Sequence, residues 1–117
     1  MLRIQITWAD TTIRVAVGGD LDRAGASELR ARLRGTLDAV RARHLELDLA
    51  EVLFIDCAGS RSLLWVSDRV RAGGGTATFT RPRRRVLRLL RLLQYDRVLQ
   101  IGAAGAPVDI EAGPADG

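Results

Sequence analysis

The sequence has few of the residues that cross-link a chain or hold a metal. Among 117 residues there is one cysteine, Cys57, and one histidine, His44. A single cysteine excludes an internal disulfide, and a single histidine leaves no plausible zinc-binding set. We therefore expect no metal site and no cofactor. A chain of this length can bury enough surface to fold as one domain without such aids.

Long apolar runs are also missing. No stretch of 18 apolar residues could cross a bilayer, and no basic start followed by an apolar run marks a signal peptide. Paired carboxylates, a phosphate-binding loop and a metal set are absent too, so we expect no catalytic residues. These absences predict a soluble, cytoplasmic protein without a transmembrane segment.

Lysine is absent, and the positive charge is concentrated in one segment. All 18 basic residues are arginine, and residues 81–97 hold seven of them against one acid, while the rest of the chain has a net charge of −2. Arg84, Arg88 and Arg91 fall opposite a leucine face, as on an ordinary solvated helix, and no aromatic residues alternate with them. We expect no nucleic-acid binding; an acidic protein or an acidic membrane surface fits this cluster better.

Apolar spacing gives the order of the secondary-structure elements. The predicted strands are Arg3–Trp8, Thr12–Val17 (ended by Gly18-Gly19), His44–Leu49, Thr76–Thr80 and Arg97–Ile101. After a break at Ala50-Glu51-Val52, Leu53–Ile55 is a short apolar run that leads into Asp56. The predicted helices run from Ala24 to about Val40, from Ala58 or Gly59 to about Ala72, and from Pro82 to near Gln94. After Gly102 the residues show no period, and 102–117 is predicted to be a flexible tail.

This order, β-β-α-β-α-β-α-β, defines the expected fold class. The first two strands form an antiparallel hairpin, and the strands that follow alternate with helices, which requires right-handed crossovers and a mostly parallel sheet. We therefore predict an α/β fold with a mixed sheet of about five strands and three or more helices.

The segment FIDCAGSRSLL, residues 54–64, places the only cysteine at a strand-to-helix junction. Asp56 is predicted to cap the following helix, and Gly59 to allow close backbone approach. Cys57 has three interpretations: a nucleophile, which lacks a nearby base; a redox sensor, which a helix N-terminus can favour but which lacks a resolving cysteine; and a small residue that replaces serine in a tight turn. We favour the third.

Several of these motifs, with their spacings, resemble the STAS domain family, of the anti-sigma factor antagonist type. The motifs are the turn Gly19-Asp20-Leu21-Asp22, the strand Leu47-Asp48-Leu49, the stretch Phe54-Ile55-Asp56-x-x-Gly59, and Arg81-Pro82 before a helix with Val86 and Leu90. The resemblance covers residues 4 to about 101. It implies a small STAS-like domain over 1–101 that acts as a stand-alone bacterial signalling module.

The resemblance also implies a partner and a switch. In such antagonists, a partner anti-sigma factor with a histidine-kinase-like ATPase fold phosphorylates a serine after the motif's aspartate, and the phosphate breaks the complex. Cys57 occupies that position here, so no phosphoserine can form there. Ser60 lies a helical turn further on, and we expect no phosphorylation there.

The residues implied to contact the partner are Gly19, Asp20, Asp22, Asp56, Cys57, Ala58, Gly59, Ser60 and Arg61. An alternative that the same resemblance allows is an adaptor or scaffold subunit of a larger assembly, such as a stress-signalling complex or a lipid-transport system with scaffold or transporter subunits.

Overall fold

The computed structural model describes residues 1–39 and 44–102 of the chain. The strands are β1 (Leu2–Ala9), β2 (Thr12–Leu21), β3 (His44–Ile55), β4 (Thr76–Thr80) and β5 (Gln100–Ile101). The helices are α1 (Arg23–Ala39), α2 (Cys57–Ala72) and α3 (Arg84–Leu92), and a 3-10 turn covers Tyr95–Arg97. The predicted end of the first helix at Val40 and the predicted tail from 103 onward lie outside the described residues.

The five strands form one sheet in the order β1-β2-β3-β4-β5. β1 is antiparallel to β2, and the other neighbours are parallel. Each parallel pair is joined through a helix, as right-handed crossovers require. The predicted α/β class, the element order and the mixed five-stranded sheet are confirmed.

The core lies on one face of this sheet, where alternate residues of neighbouring strands meet. Val15 pairs with Leu47, and Leu47 with Phe79, and all three are fully buried. α1 contributes Leu29 and Leu33 to the same cluster, and α2 contributes residues that include Leu63 and Val66. Alternation in the strands and three-to-four spacing in the helices thus direct the apolar side chains into one layer.

The strand residues that alternate with these core residues form a polar face on the other side of the sheet. Arg14 donates to the Glu46 carboxylate at 3.1 Å, and the Thr80 hydroxyl donates to the same oxygen at 3.4 Å. Arg81 donates to both carboxylate oxygens of Asp48. These bonds run across three strands and pair two mostly buried carboxylates with guanidinium groups that are about half exposed.

β2 and β3 are longer than the spacing predicts. Gly18-Gly19 does not end β2, which continues to Leu21, and residues 50–52 do not break β3, which continues to Ile55. The β2–β3 pairing instead shifts register between Ala16 and Gly18 and again between Gly19 and Asp20. Gly19 has a φ of +96°, so these glycines form irregularities inside a strand.

The C-terminal elements also differ from prediction. α3 begins at Arg84 rather than Pro82, because residue 83 is still extended, with φ −67° and ψ 158°, and its guanidinium donates to the Ala50 carbonyl at 2.8 Å. α3 ends two residues early, before a left-handed Gln94. The predicted strand Arg97–Ile101 is reduced to a 3-10 turn and the two-residue β5.

Candidate functional site

Two helix starts lie side by side at one end of the sheet. Leu21 at the end of β2 pairs with Ile55 at the end of β3, and each is followed by an aspartate and a helix. The sequences Leu21-Asp-Arg-Ala-Gly25 and Ile55-Asp-Cys-Ala-Gly59 therefore form two equivalent junctions. The backbone N–H of Asp56 donates to the Leu21 carbonyl at 3.4 Å and joins them.

Each aspartate caps its helix in the same way. Asp22 Oδ1 accepts from the N–H of Gly25 at 2.9 Å, and Asp56 Oδ1 accepts from the N–H of Gly59 at 2.8 Å. An oxygen acceptor at this position satisfies one of the free N–H groups of the first turn. The predicted cap at Asp56 is confirmed, and Asp22 has the same role on α1.

The glycines of both junctions lie against backbone. A side chain on Gly59 would collide with the carbonyl oxygen of Leu21, and one on Gly25 with the carbonyl oxygen of Asp20. The predicted close approach at Gly59 is confirmed. Since a Cβ would push each helix away from the neighbouring strand end, the glycines set how closely the two junctions lie.

Cys57 and Arg61 are exposed on the first turn of α2, and Ala58 is half buried. The serines that follow point inward: Ser60 and Ser62 are fully buried. The Ser60 hydroxyl donates to the Asp56 carbonyl at 3.0 Å, and the Ser62 hydroxyl to the Gly59 carbonyl at 2.6 Å. Of the side chains in this turn, those of Cys57 and Arg61 are thus open to a partner, while Ser60 supports the turn from below.

Two apolar residues belong to this surface and were not predicted. Leu53 and Phe54 are 54% and 46% exposed, whereas Val52 and Ile55 on either side of them are buried. The register shifts break the alternation, so two consecutive side chains of an apolar run turn outward. Phe54 pairs with Asp20, which brings it beside the end of β2; the predicted turn at Gly19–Asp22 is strand as far as Leu21.

We call this region the helix-start surface and define it as residues 19–22, 53–54 and 56–61. Its exposed groups combine an apolar pair, a thiol, the half-exposed carboxylate of Asp20 and the guanidinium of Arg61. The surface lies on strand ends and helix starts whose backbone is held by the core beneath them. Such a mixture on a rigid frame is suited to recognising a protein.

Other kinds of site receive no support in the part of the chain that the structure describes. Within residues 1–39 and 44–102 there is no group of three or more His, Cys, Asp or Glu side chains that could hold a metal ion. No described helix is both long enough and apolar enough to span a membrane.

The fold and the helix-start surface define a small α/β domain with a mixed five-stranded sheet and adjacent helix starts. The chain belongs to the STAS domain family, since residues 4–101 match the family model described as "Mlab, STAS domain". That match runs from the third residue of β1 to the end of β5.

Solved structures with the same fold include several anti-sigma factor antagonists. The unphosphorylated form of the anti-sigma factor antagonist SpoIIAA is 15% identical, with a TM-score of 0.75 over 95% of this chain and 97% of that chain. The phosphorylated form of the Bacillus cell fate determinant SpoIIAA is 14% identical, with a TM-score of 0.67 over 92% of this chain and 97% of that chain.

A third match is a protein from Thermotoga maritima described as a putative anti-sigma factor antagonist. It is 18% identical, with a TM-score of 0.75 over 92% of both chains. At these identities the likeness shows the fold, which agrees with the STAS fold across nearly the full length of each protein.

Proposed function

We propose that this protein is a non-catalytic regulatory module of the anti-sigma factor antagonist kind. It would dock through the helix-start surface on an anti-sigma factor with a histidine-kinase-like ATPase fold. STAS domains are generally non-catalytic regulators. The observation that carries the proposal is the exposed apolar pair Leu53-Phe54, which precedes the exposed start of α2 and lies beside the end of β2 at Asp20.

The exposed apolar pair supplies the energy that such docking needs. Residues that anchor interfaces are large side chains that become fully desolvated, with polar groups around them. Phe54 is roughly half exposed, pairs with Asp20 and comes two residues before the Asp56 cap of α2, so a partner with an apolar pocket could bury it. Asp20 and Arg61 would then set orientation through charge.

Because residue 57 is a cysteine and not a serine, we expect the complex to be regulated differently from that of an antagonist with the phosphorylated serine. A thiol offers no hydroxyl to a serine kinase, and the hydroxyls of Ser60 and Ser62 are buried and bonded to backbone carbonyls. A kinase could reach those hydroxyls only by unfolding the first two turns of α2. We therefore propose that binding to the partner persists in the presence of ATP.

The test uses a purified anti-sigma kinase from the same organism and measures its affinity by calorimetry with and without ATP. The unmodified chain is expected to bind equally well in both conditions. Cys57→Ser restores a hydroxyl at the exposed first position of α2, so ATP should add a phosphate there and abolish binding. Cys57→Ala is the matched control and should bind regardless of ATP. Phosphate on Ser60 of the unmodified chain, with loss of binding, would overturn the proposal.

A second pair of variants tests the surface. Phe54→Ala is expected to weaken binding at least tenfold, which corresponds to about 1.4 kcal/mol. Leu92→Ala removes an apolar side chain that is 73% exposed on α3 and should leave the affinity unchanged. If the two variants changed the affinity equally, binding would not depend on the helix-start surface. Failure to bind the kinase together with tight binding to a scaffold or transporter subunit would favour the adaptor alternative.

A further inference from the structure

β1 lies at the edge of the sheet with one side open. It pairs with β2, and no other described strand neighbours it. The strand is eight residues long, Leu2–Ala9, whereas the opposite edge is the two-residue β5. An open edge presents unpaired N–H and C=O groups along its length, which another strand can join.

The usual protections of an edge are missing from β1. Its residues, LRIQITWA, include no proline and a single charge, Arg3. Its pairing with β2 is regular from Leu2 opposite Gly19 to Ala9 opposite Thr12, without a bulge. Natural edge strands are commonly blunted by proline, charge, bulges or short length. A long and regular edge strand is therefore expected either to be covered or to pair with a strand of another chain.

The apolar layer on the core face of the sheet extends to β1, where its outermost side chains are partly exposed. Ile4, Ile6 and Trp8 pair with Val17, Val15 and Ile13, which are almost fully buried. Ile4 and Ile6 are themselves only partly buried, and Trp8 is 50% exposed. A neighbouring strand with apolar residues at matching positions would complete the layer.

We propose that β1 pairs with β1 of a second copy of this chain, antiparallel and about a two-fold axis at Ile6. The two sheets would then form one continuous sheet across the dimer. In this register Ile6 faces its own copy and Ile4 faces Trp8, so the three partly exposed apolar residues cover one another. On the polar face Gln5 faces Thr7, and Arg3 faces Ala9.

The pattern of the strand favours a second copy as the occupant. The only charge in β1 meets an alanine rather than a like charge, so nothing in the strand opposes self-pairing. A slip of one residue would place Trp8 opposite polar side chains, so the alternation also fixes the register. The basic segment 81–97 begins after β4 and lies toward the far side of the sheet, and the rest of the chain has a net charge of −2.

The arrangement leaves both helix-start surfaces free. Leu2, at the start of β1, pairs with Gly19 of that surface, so the surface lies at one end of the strand. In an antiparallel dimer the two ends point in opposite directions. The dimer would thus present two copies of the helix-start surface at opposite ends, and the inference does not depend on what that surface binds.

Sedimentation velocity over a range of protein concentrations tests the pairing. A single strand-to-strand contact is smaller than a standard interface of about 1,600 Å², so we expect a dimer that forms in the micromolar range and dissociates on dilution. Ile6→Lys sets two like charges against each other at the axis and should raise the dissociation constant at least tenfold. Gln100→Lys adds the same charge at an exposed position of β5, on the opposite edge of the sheet, and should not change it.

Fluorescence gives a readout that does not require an edge variant. In a Trp65→Phe chain Trp8 is the only tryptophan, and its emission should shift to shorter wavelength as concentration rises and its ring becomes buried. A monomer at every concentration with constant Trp8 emission would overturn the proposal. A dimer that Ile6→Lys and Gln100→Lys affect equally would overturn it as well, provided that circular dichroism shows both variants folded.

Discussion

The consequence of adding a methyl group to a glycine depends on what lies beside its Cα. Gly59 lies against the Leu21 carbonyl at the junction of two strands and a helix, whereas a Cβ on Gly35 in α1 would meet nothing within 4 Å. Both residues are helical, so their intrinsic cost to a helix is similar. The difference in stability between alanine variants at the two positions therefore measures the cost of the close backbone contact at the start of α2.

We predict opposite effects for alanine at these two positions. Gly59→Ala should lower the free energy of unfolding by about 3 kcal/mol or more, because backbone must move to admit the methyl group. Gly35→Ala should raise it by about 0.5–1 kcal/mol, because alanine favours the helix. Urea denaturation followed by circular dichroism measures both. A loss below about 1 kcal/mol for Gly59→Ala would show that the junction can open without cost.

The position of Cys57 argues against the nucleophile interpretation. His44 begins β3 and Cys57 follows its end, so the two residues are separated by the length of a twelve-residue strand, in which each residue adds roughly 3.3 Å. His44 Nδ1 also lies 2.8 Å from the Thr76 hydroxyl at that far end of the sheet. Geometry therefore gives the thiol no imidazole base, and its exposure at the start of α2 fits a contact residue.

At the scale of the elements, α1 and α2 begin with the same capping arrangement. Asp22 and Asp56 each accept from the glycine three residues on, at 2.9 and 2.8 Å. The two aspartates differ in their neighbours, because Asp56 precedes the exposed Cys57 and Asp22 precedes Arg23. Because the caps are alike, the two aspartates should contribute similarly to stability. Because the residues beside them differ, their contributions to docking should differ.

We predict that Asp22→Ala and Asp56→Ala each lower the free energy of unfolding by about 1 kcal/mol, as expected for loss of an N-cap. Asn at either position should recover most of the loss, because its side-chain oxygen can still accept. Asp68→Ala removes an exposed ion pair with Arg71 and should change stability by less than about 0.5 kcal/mol. Urea denaturation of the five variants gives the comparison. Losses at the caps no larger than at Asp68 would contradict the assignment.

Local patterns predicted most elements but not how strands continue through irregularities. Apolar spacing placed β4 at its exact residues and α2 within two residues of its start. The same spacing predicted that β2 ends at Gly18-Gly19 and that β3 is interrupted at Ala50-Glu51-Val52. Within one segment, glycines and a loss of alternation are the usual signs that a strand has ended. Pairing between the two strands carries both of them onward. That information lies in the partner strand, not in the local sequence.

The same limit applies to the helix-start surface. Asp56 and Gly59 were predicted because capping and close approach have local signatures. The exposure of Leu53 and Phe54 was not, since an apolar run before a helix normally indicates a buried strand. The register shifts that turn them outward depend on β2. The partner-binding roles of these residues remain predictions that the Phe54→Ala and Cys57→Ser variants test.

At the scale of the whole molecule, three features lie in different places. The helix-start surface lies at one end of the strands, β1 lies at one edge of the sheet, and the arginine-rich α3 follows β4 toward the other edge. A single core of buried residues, from Leu2 to Leu99 among those described, supports all three. Exposed side chains such as Phe54 and Leu92 can therefore be changed on one surface without unfolding the others, whereas Gly59→Ala acts on the shared core.

The extent of that core leads to a prediction about the domain boundary. The N–H of Gly102 donates to the Phe79 carbonyl, and the family match ends at residue 101. Beyond Gly102 the sequence has only Val108 and Ile110 as large apolar residues, too few for a core of its own. A chain that ends at Gly102 should therefore have a free energy of unfolding within about 0.5 kcal/mol of the full chain.

A chain that ends at Leu93 is the contrasting case. It loses β5 and the buried Leu99, whose side chain belongs to the core cluster. Removing a buried leucine alone costs about 2–5 kcal/mol, so this shorter chain should be markedly less stable in urea. If ending the chain at Gly102 costs more than about 1 kcal/mol, residues 103–117 contribute to the folded domain and the boundary lies further along the chain. Equal stability of all three chains would instead show that β5 is dispensable and that the core closes at α3.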